Sequence, residues 1–185
     1  MKLEETFIHY GSIDTTPFLK GLGKLTKLDW DRYEFRQKEH PYHAATKTIP
    51  IIYDENYGME RGKESIFYDL FTESVEAIEK FFSSVYNKPA VIIRYVIVNL
   101  PANAQVQPHY DRSKESFNAH SRVHIPIITH PKVEFTVGDD TIFMPPGEVY
   151  EINNDGQKHG VINGSHIDRI HAIVDWHVGS NNSLL

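Results

Sequence analysis

From Ala90 to Val178 the chain breaks repeatedly into short apolar or alternating runs, and most of the breaks carry turn chemistry. Pro101-Ala102-Asn103, Gly138-Asp139-Asp140, Pro145-Pro146-Gly147, Asn153-Asn154-Asp155-Gly156 and Asn163-Gly164 supply the prolines, glycines and side-chain amides that tight turns need. Strands are expected over residues 90–100, 105–110, 122–129, 132–137, 141–144, 148–152, 158–163 and 167–178. A train of short strands preceded by one long helix favours a mainly β fold, a jelly roll or double-stranded β-helix of the cupin kind. A plain antiparallel sandwich fits the same pattern.

The first 89 residues are different in texture. Residues 65–86 place Ile66, Leu70, Val75, Ile78, Phe81, Phe82 and Val85 at three- and four-residue steps, one face of a helix. Pro89 blocks its continuation. A shorter helix is expected over residues 14–25, weakened by Gly21 and Gly23, and a strand over the β-branched run 46–53. Neither a linker nor a repeat divides the 185 residues. One domain is expected, with residues 1–89 as helix and strand support and 90–178 as the β-helix core.

Composition removes several functions. The net charge is −6 and no Lys/Arg block occurs, so a nucleic-acid partner is not expected. The absence of cysteine excludes disulfides, thiolate catalysis and every cysteine-ligated metal site. The start lacks the apolar core of a signal peptide, and the greasiest run, residues 90–100, is short and contains Arg94. The expectation is a cytoplasmic protein with no membrane segment.

Histidine is the informative residue. Eight of the 11 fall from His109 onward. In His109-Tyr110-Asp111 an imidazole and a carboxylate stand two apart, and on a strand both project to one face. With one distant histidine they would complete the two-His-one-carboxylate triad of non-haem Fe(II) oxygenases, which leaves positions open for cosubstrate and dioxygen. The triplet alone is weak, because His166-Ile167-Asp168 repeats it. The second copy lies close to the end of the sequence just after Asn163-Gly164, and is expected to be solvated turn residues. The first has a well-placed later partner in His159, within the strand-like run Lys158-His159-Gly160-Val161-Ile162-Asn163.

Ten residues beyond His159 comes Arg169. If a hairpin through Asn163-Gly164 joins their strands, both can face one interior. A guanidinium beside a metal needs an anion, and its fork matches a carboxylate. A 2-oxo acid supplies one, chelating the metal at its keto-acid end and meeting Arg169 at the other. The plainer alternative is a surface arginine paired with Asp168 or Asp155. Alternation sets Arg122 and His124 on one face of their strand, with Val123, Ile125 and Ile127 on the other. Arg122 and His124 therefore face water or a polar cavity. In the last strand the same logic separates Arg169, His171, Asp175 and His177 from Ala172, Val174 and Trp176, and hydrogen-bonding roles are expected for His171, Asp175 and His177. His9, His40 and His43 carry no spacing signal.

The residues Arg94-Tyr95-Val96-Ile97, Gln107-Pro108-His109, Arg122-Val123-His124-Ile125-Pro126-Ile127, His159-Gly160-Val161-Ile162-Asn163 and Arg169 to His177 together resemble the aspartyl/asparaginyl β-hydroxylase family of Fe(II)- and 2-oxoglutarate-dependent oxygenases. The resemblance implies a double-stranded β-helix with His109 and His159 as metal ligands, and Arg169 as the clamp for the distal carboxylate of 2-oxoglutarate. It implies that Arg122 and His124 steady the other end of the cosubstrate. Asp111 departs from the namesake vertebrate enzymes, which have no ligating carboxylate, and agrees with the wider superfamily. The expected activity is a dioxygenase using Fe(II), 2-oxoglutarate and dioxygen to hydroxylate an amino-acid side chain, on a protein or a free amino acid. The alternative is a non-oxidative metal- or ligand-binding cupin, which has no need of Arg169. The polar segment 112–121 is a candidate lid beside the site, or else a surface loop.

Overall fold

In a computed structural model, residues 5–53, 61–111, 121–153 and 157–178 are described. Eleven strands are found among them: β1 (Phe7–Ser12), β2 (Lys47–Tyr53), β3 (Lys63–Glu64), β4 (Ala90–Leu100), β5 (Gln105–His109), β6 (Ser121–Ile128), β7 (Val133–Val137), β8 (Asp140–Ile142), β9 (Glu148–Ile152), β10 (His159–Asn163) and β11 (Arg169–Val178). They form a seven-stranded sheet in the order β1-β9-β6-β11-β4-β2-β3 and a four-stranded sheet in the order β5-β10-β7-β8, with every pairing antiparallel. Chain neighbours repeatedly land in opposite sheets, as in a double-stranded β-helix. The fold is mainly β, a double-stranded β-helix as the train of short strands leads one to expect.

Alternation along the strands builds two large apolar clusters and a small one of Val96, Val98 and Ile173. Val123, Ile125 and Ile127 of β6 and Ala172, Val174 and Trp176 of β11 project from the outer face of the larger sheet. The helix α4 (Tyr68–Tyr86) covers them with Phe71, Val75, Ile78 and Phe82, and Phe82 lies flat on Trp176 at 4.1 Å between ring centroids. A second apolar cluster, including Leu100, Val106, Phe135 and Val161, sits between the sheets. The inner-facing polar residues are left beside that cluster, which is what places the site.

The N-terminal region also contributes α1 (Thr16–Leu22), α2 (Lys27–Trp30), α3 (Phe35–Glu39) and a 3-10 turn at Pro41–His43. Its strands β1, β2 and β3 complete the larger sheet. The long helix starts at Tyr68, three residues later than the apolar period suggests, because Ser65 Oγ is occupied with the Phe67 amide and the Pro50 carbonyl. Ile66 consequently lies outside the helix and is 63% exposed. The helix ends at Asn87, which takes the left-handed conformation at φ 50° ahead of Pro89.

One expectation is overturned. His159 and Arg169 are not joined in a hairpin: β10 pairs with β5 and β7, whereas β11 pairs with β4 and β6 in the other sheet. The link between them crosses from sheet to sheet, held by Asn163, whose Nδ2 donates to the carbonyls of Leu100, Pro101 and Ile167. Three backbone oxygens from two chain segments meet one buried amide there, and that prevents the simple Asn-Gly reversal.

Candidate metal centre and carboxylate pocket

His109 and His159 stand directly opposite one another on the paired strands β5 and β10, so both rings emerge on the same face. The two ring centroids are 4.4 Å apart. Close approach of the strands depends on Gly160, where a Cβ would meet the Val106 carbonyl at 3.0 Å and Pro108 at 3.2 Å. Asp111 follows just beyond the end of β5, and its Oδ1 lies 3.9 Å from His109 Nε2 and 3.7 Å from His159 Nε2. One ligand atom from each of the three residues fits within 4.8 Å.

The protonation pattern suits a metal. His109 Nδ1 donates to the Gln107 carbonyl at 2.8 Å, so the lone pair is on Nε2. That Nε2 is buried and has no hydrogen-bond partner among the described residues. Burial pushes the His109 imidazole below its ordinary range and that of His159 down to about 4, so both are neutral at pH 7. Two neutral imidazoles and one carboxylate around an orphaned buried nitrogen fit a divalent first-row metal such as Fe(II).

Around this group lies a cavity of about 490 Å³, its open mouth included. Arg169 reaches it from the opposite sheet. The side chain is 3% exposed and therefore not the surface arginine of the plainer alternative. Asp168 is committed elsewhere, accepting from Asn99 and the Ala102 amide, while Asp155 lies outside the described residues. Arg169 Nη2 donates to His171 Nδ1 at 2.7 Å, and its Nε is buried with no partner among the described residues. Burial alone lowers this guanidinium to about 9. His124 lines the same cavity, fully buried, with both ring nitrogens lacking partners among the described residues. Burial, aided by Arg169, holds the imidazoles of His124 and His171 well below their ordinary range.

Arg122 also lines the cavity, and it is already engaged by carboxylates. Its Nε and Nη2 donate to Asp175 at 2.7 and 3.0 Å, and Nη1 donates to Asp111. The His166–Asp168 copy of the triplet is exposed turn, as expected. Most of the candidate lid, residues 112–120, lies outside the described residues.

Three side chains at the site carried no sequence signal. Tyr42 stacks on His109 at 3.9 Å, His43 meets the same ring edge-on at 4.9 Å, and Arg36 Nη2 donates to His43 Nε2 at 3.0 Å. Tyr42 and His43 arrive through packing of the 3-10 turn on β5, and Arg36 reaches His43 from α3, an arrangement that no sequence period encodes.

A double-stranded β-helix with a His-Asp-His group at one end of its interior and a buried arginine across from it defines a metal-dependent oxygenase scaffold. Comparison with solved structures agrees on the fold. The chain is similar to HygX from Streptomyces hygroscopicus, a structure with nickel and 2-oxoglutarate bound (TM-score 0.59, 11% identity, 94% of this chain and 83% of that one). It is also similar to a 2OG-Fe(II) oxygenase family oxidoreductase from Burkholderia pseudomallei (0.54, 16%, 74% and 68%) and a Pseudomonas putida prolyl-4-hydroxylase (0.50, 8%, 96% and 95%). No curated protein matches the sequence significantly. The family model for aspartyl/asparaginyl β-hydroxylase matches residues 8–178. The chain belongs to that family and is a 2-oxoglutarate-dependent hydroxylase, with a residue set that fits Fe(II), 2-oxoglutarate and dioxygen. No helix among the described residues is long and apolar enough to cross a membrane.

Proposed function

We propose that the hydroxylation falls on an amino-acid side chain, carried by a protein or by a free amino acid. The support for that substrate class is the family itself. Fe(II) would be held by His109 and His159 through Nε2 and by Asp111 through its carboxylate. When bound, the metal supplies dioxygen activation, coupled to oxidative decarboxylation of 2-oxoglutarate to succinate and carbon dioxide.

The chain's own residues bind and orient. Arg169 would receive the distal carboxylate of 2-oxoglutarate through Nε and its remaining N–H groups, while His171 keeps the guanidinium in place. His124 would donate a ring N–H to the near end of the cosubstrate. Arg122, whose Nε, Nη1 and Nη2 donate to Asp175 and Asp111, would steady that end from the side of these carboxylates. Phe135 and Val161 keep the wall between these groups apolar, which limits water at the reacting end.

The observation that carries this reading is the buried Arg169, its Nε without a partner among the described residues, lining one cavity with a metal-competent set. A non-oxidative cupin would use the imidazoles and leave that cation without work. The test is an anaerobic visible titration of the protein with Fe(II) and 2-oxoglutarate. A weak charge-transfer band that needs both is expected; its absence overturns the assignment. Succinate release in the presence of free amino acids or of acidic and amide-bearing peptides then tests the substrate class, and stimulation only by molecules with no amino-acid side chain would refute it.

A further inference from the structure

Asp111 stands outside the strands that carry the two imidazoles. It lies just past the last residue of β5, an edge strand of the smaller sheet. Its carboxylate is nevertheless oriented. One oxygen, Oδ2, accepts from Arg122, and the other, Oδ1, is turned toward the two imidazoles.

Arg122 in turn belongs to a row of charges that runs straight across the middle of the larger sheet. Asp175 of β11 stands in register directly opposite Arg94 of β4 on one side and Arg122 of β6 on the other. Asp175 accepts from Arg94 Nε at 2.8 Å and takes the Arg122 fork at 2.7 and 3.0 Å. All three residues are at least nine-tenths buried. Burial alone would raise the Asp175 carboxyl, but Arg122 and Arg94 outweigh it and hold it down at about 2, so it is ionised at every working pH. Signs along the row alternate: Arg94, Asp175, Arg122, Asp111.

We infer that Asp175 is a positioning residue for the metal site, acting through Arg122 to present Asp111 with one oxygen held back and one directed at the metal. The physical grounds are geometric and electrostatic. A guanidinium held bidentately on a rigid central strand has little freedom left, so its third donor fixes Asp111 from across the cavity. Asp175 also cancels one unit of the arginine charge. Without it, the full charge of Arg122 would fall on Asp111 and make that carboxylate a poorer donor to a metal. The inference rests on the ligand assignment above, and partners that position a ligand commonly change metal affinity by about 10–100-fold.

The experiment is a double-mutant cycle read by metal binding, using Ni(II) or Co(II) as probe and the full chain. Asp175→Asn is expected to weaken binding by roughly 10-fold or more in the parent protein. In an Asp111→Ala background it is expected to change binding by less than about 2-fold, because the carboxylate it acts through is gone. The Co(II) d–d spectrum should shift with Asp175→Asn alone and not in the Asp111→Ala background. Equal losses in both backgrounds would show a general packing role and overturn the inference. So would no loss in the parent. If Asp175→Asn does not fold, Arg122→Gln tests the same link and is expected to show the same non-additivity. A parent protein that binds neither metal refutes the ligand assignment itself, which separates that failure from this one.

Discussion

Tyr42 lies flat on His109, with ring centroids 3.9 Å apart and planes 18° from parallel. His109 is thus fixed twice, by its Nδ1 bond to the Gln107 carbonyl and by an aromatic lid from the 3-10 turn. Stacked pairs of this kind contribute about 0.5–1.5 kcal/mol beyond area burial. Tyr42→Ala is therefore expected to weaken metal binding by about 2–10-fold, with Tyr42→Phe keeping most of the affinity. Isothermal titration with Ni(II) checks this, and equal affinities for all three proteins would remove Tyr42 from the site.

Arg169 gives a prediction with two opposite signs. A buried cation with no carboxylate partner among the described residues opposes folding, since His171 and the face of Phe135 offset only part of its desolvation. Arg169→Met should leave the ligand-free protein at least as stable as the parent in urea. The same change removes a charge-assisted bond to the cosubstrate, worth about 1.5–3 kcal/mol. Half-saturation by 2-oxoglutarate, followed by the charge-transfer band, should rise by about 10–100-fold. An unchanged half-saturation would mean that the distal carboxylate binds elsewhere.

Much of this arrangement could be read from the chain. Period-two alternation separates Val123, Ile125 and Ile127 from Arg122 and His124, and the structure packs the first set under α4 and turns the second into the cavity; His109, Asp111 and His159 come together, whereas His166 and Asp168 stay exposed. What spacing could not provide was the partner of each strand. Asn163-Gly164 has hairpin chemistry, yet Asn163 is spent on carbonyls from the β4 end and from Ile167, so β11 joins the other sheet. His159 and Arg169 still share one interior because the two sheets face each other. Tyr42, His43 and Arg36 were invisible for a different reason: they come from the 3-10 turn and the short helix α3 before it, whose position depends on tertiary packing.

The histidines make stability depend on pH in a defined direction. An unfolded imidazole titrates near 6.5, whereas burial lowers His159 to about 4 and pushes His43, His109, His124 and His171 downward as well. Below 6.5 the unfolded chain takes up protons that the folded chain refuses, so the unfolded state gains. Stability of the metal-free protein is full above about 6.5 and is lost as pH falls toward 4, by up to about 1.4 kcal/mol per pH unit for each such group. Asp175, held at about 2, adds its own loss only at lower pH, beneath the ordinary carboxyl range. Urea midpoints at pH 7, 6 and 5 should fall steadily, and His124→Leu should flatten the slope by close to one proton. A level profile for the parent would show that these imidazoles are not buried as neutral groups.

Asn163 is expected to matter more than its place in a turn suggests. The residue is fully buried; Nδ2 meets three carbonyls at 3.1, 2.9 and 2.9 Å, and Oδ1 accepts from the amide and hydroxyl of Ser165 at 3.2 and 2.7 Å. Asn163→Ala leaves several of these groups without partners in a site closed to water, at about 1–3 kcal/mol for each that stays unmet. A loss of roughly 2–4 kcal/mol in urea unfolding is expected on that basis. Because the same amide ties the β4 end to the crossing that carries the chain from His159 to Arg169, the surviving folded protein should also bind 2-oxoglutarate more weakly while holding metal nearly as well. The proposed metal ligands sit on β5 and β10 and just beyond β5, on the near side of that crossing, whereas Arg169 lies past it. Equal losses of metal and cosubstrate binding would instead place the damage in the smaller sheet itself.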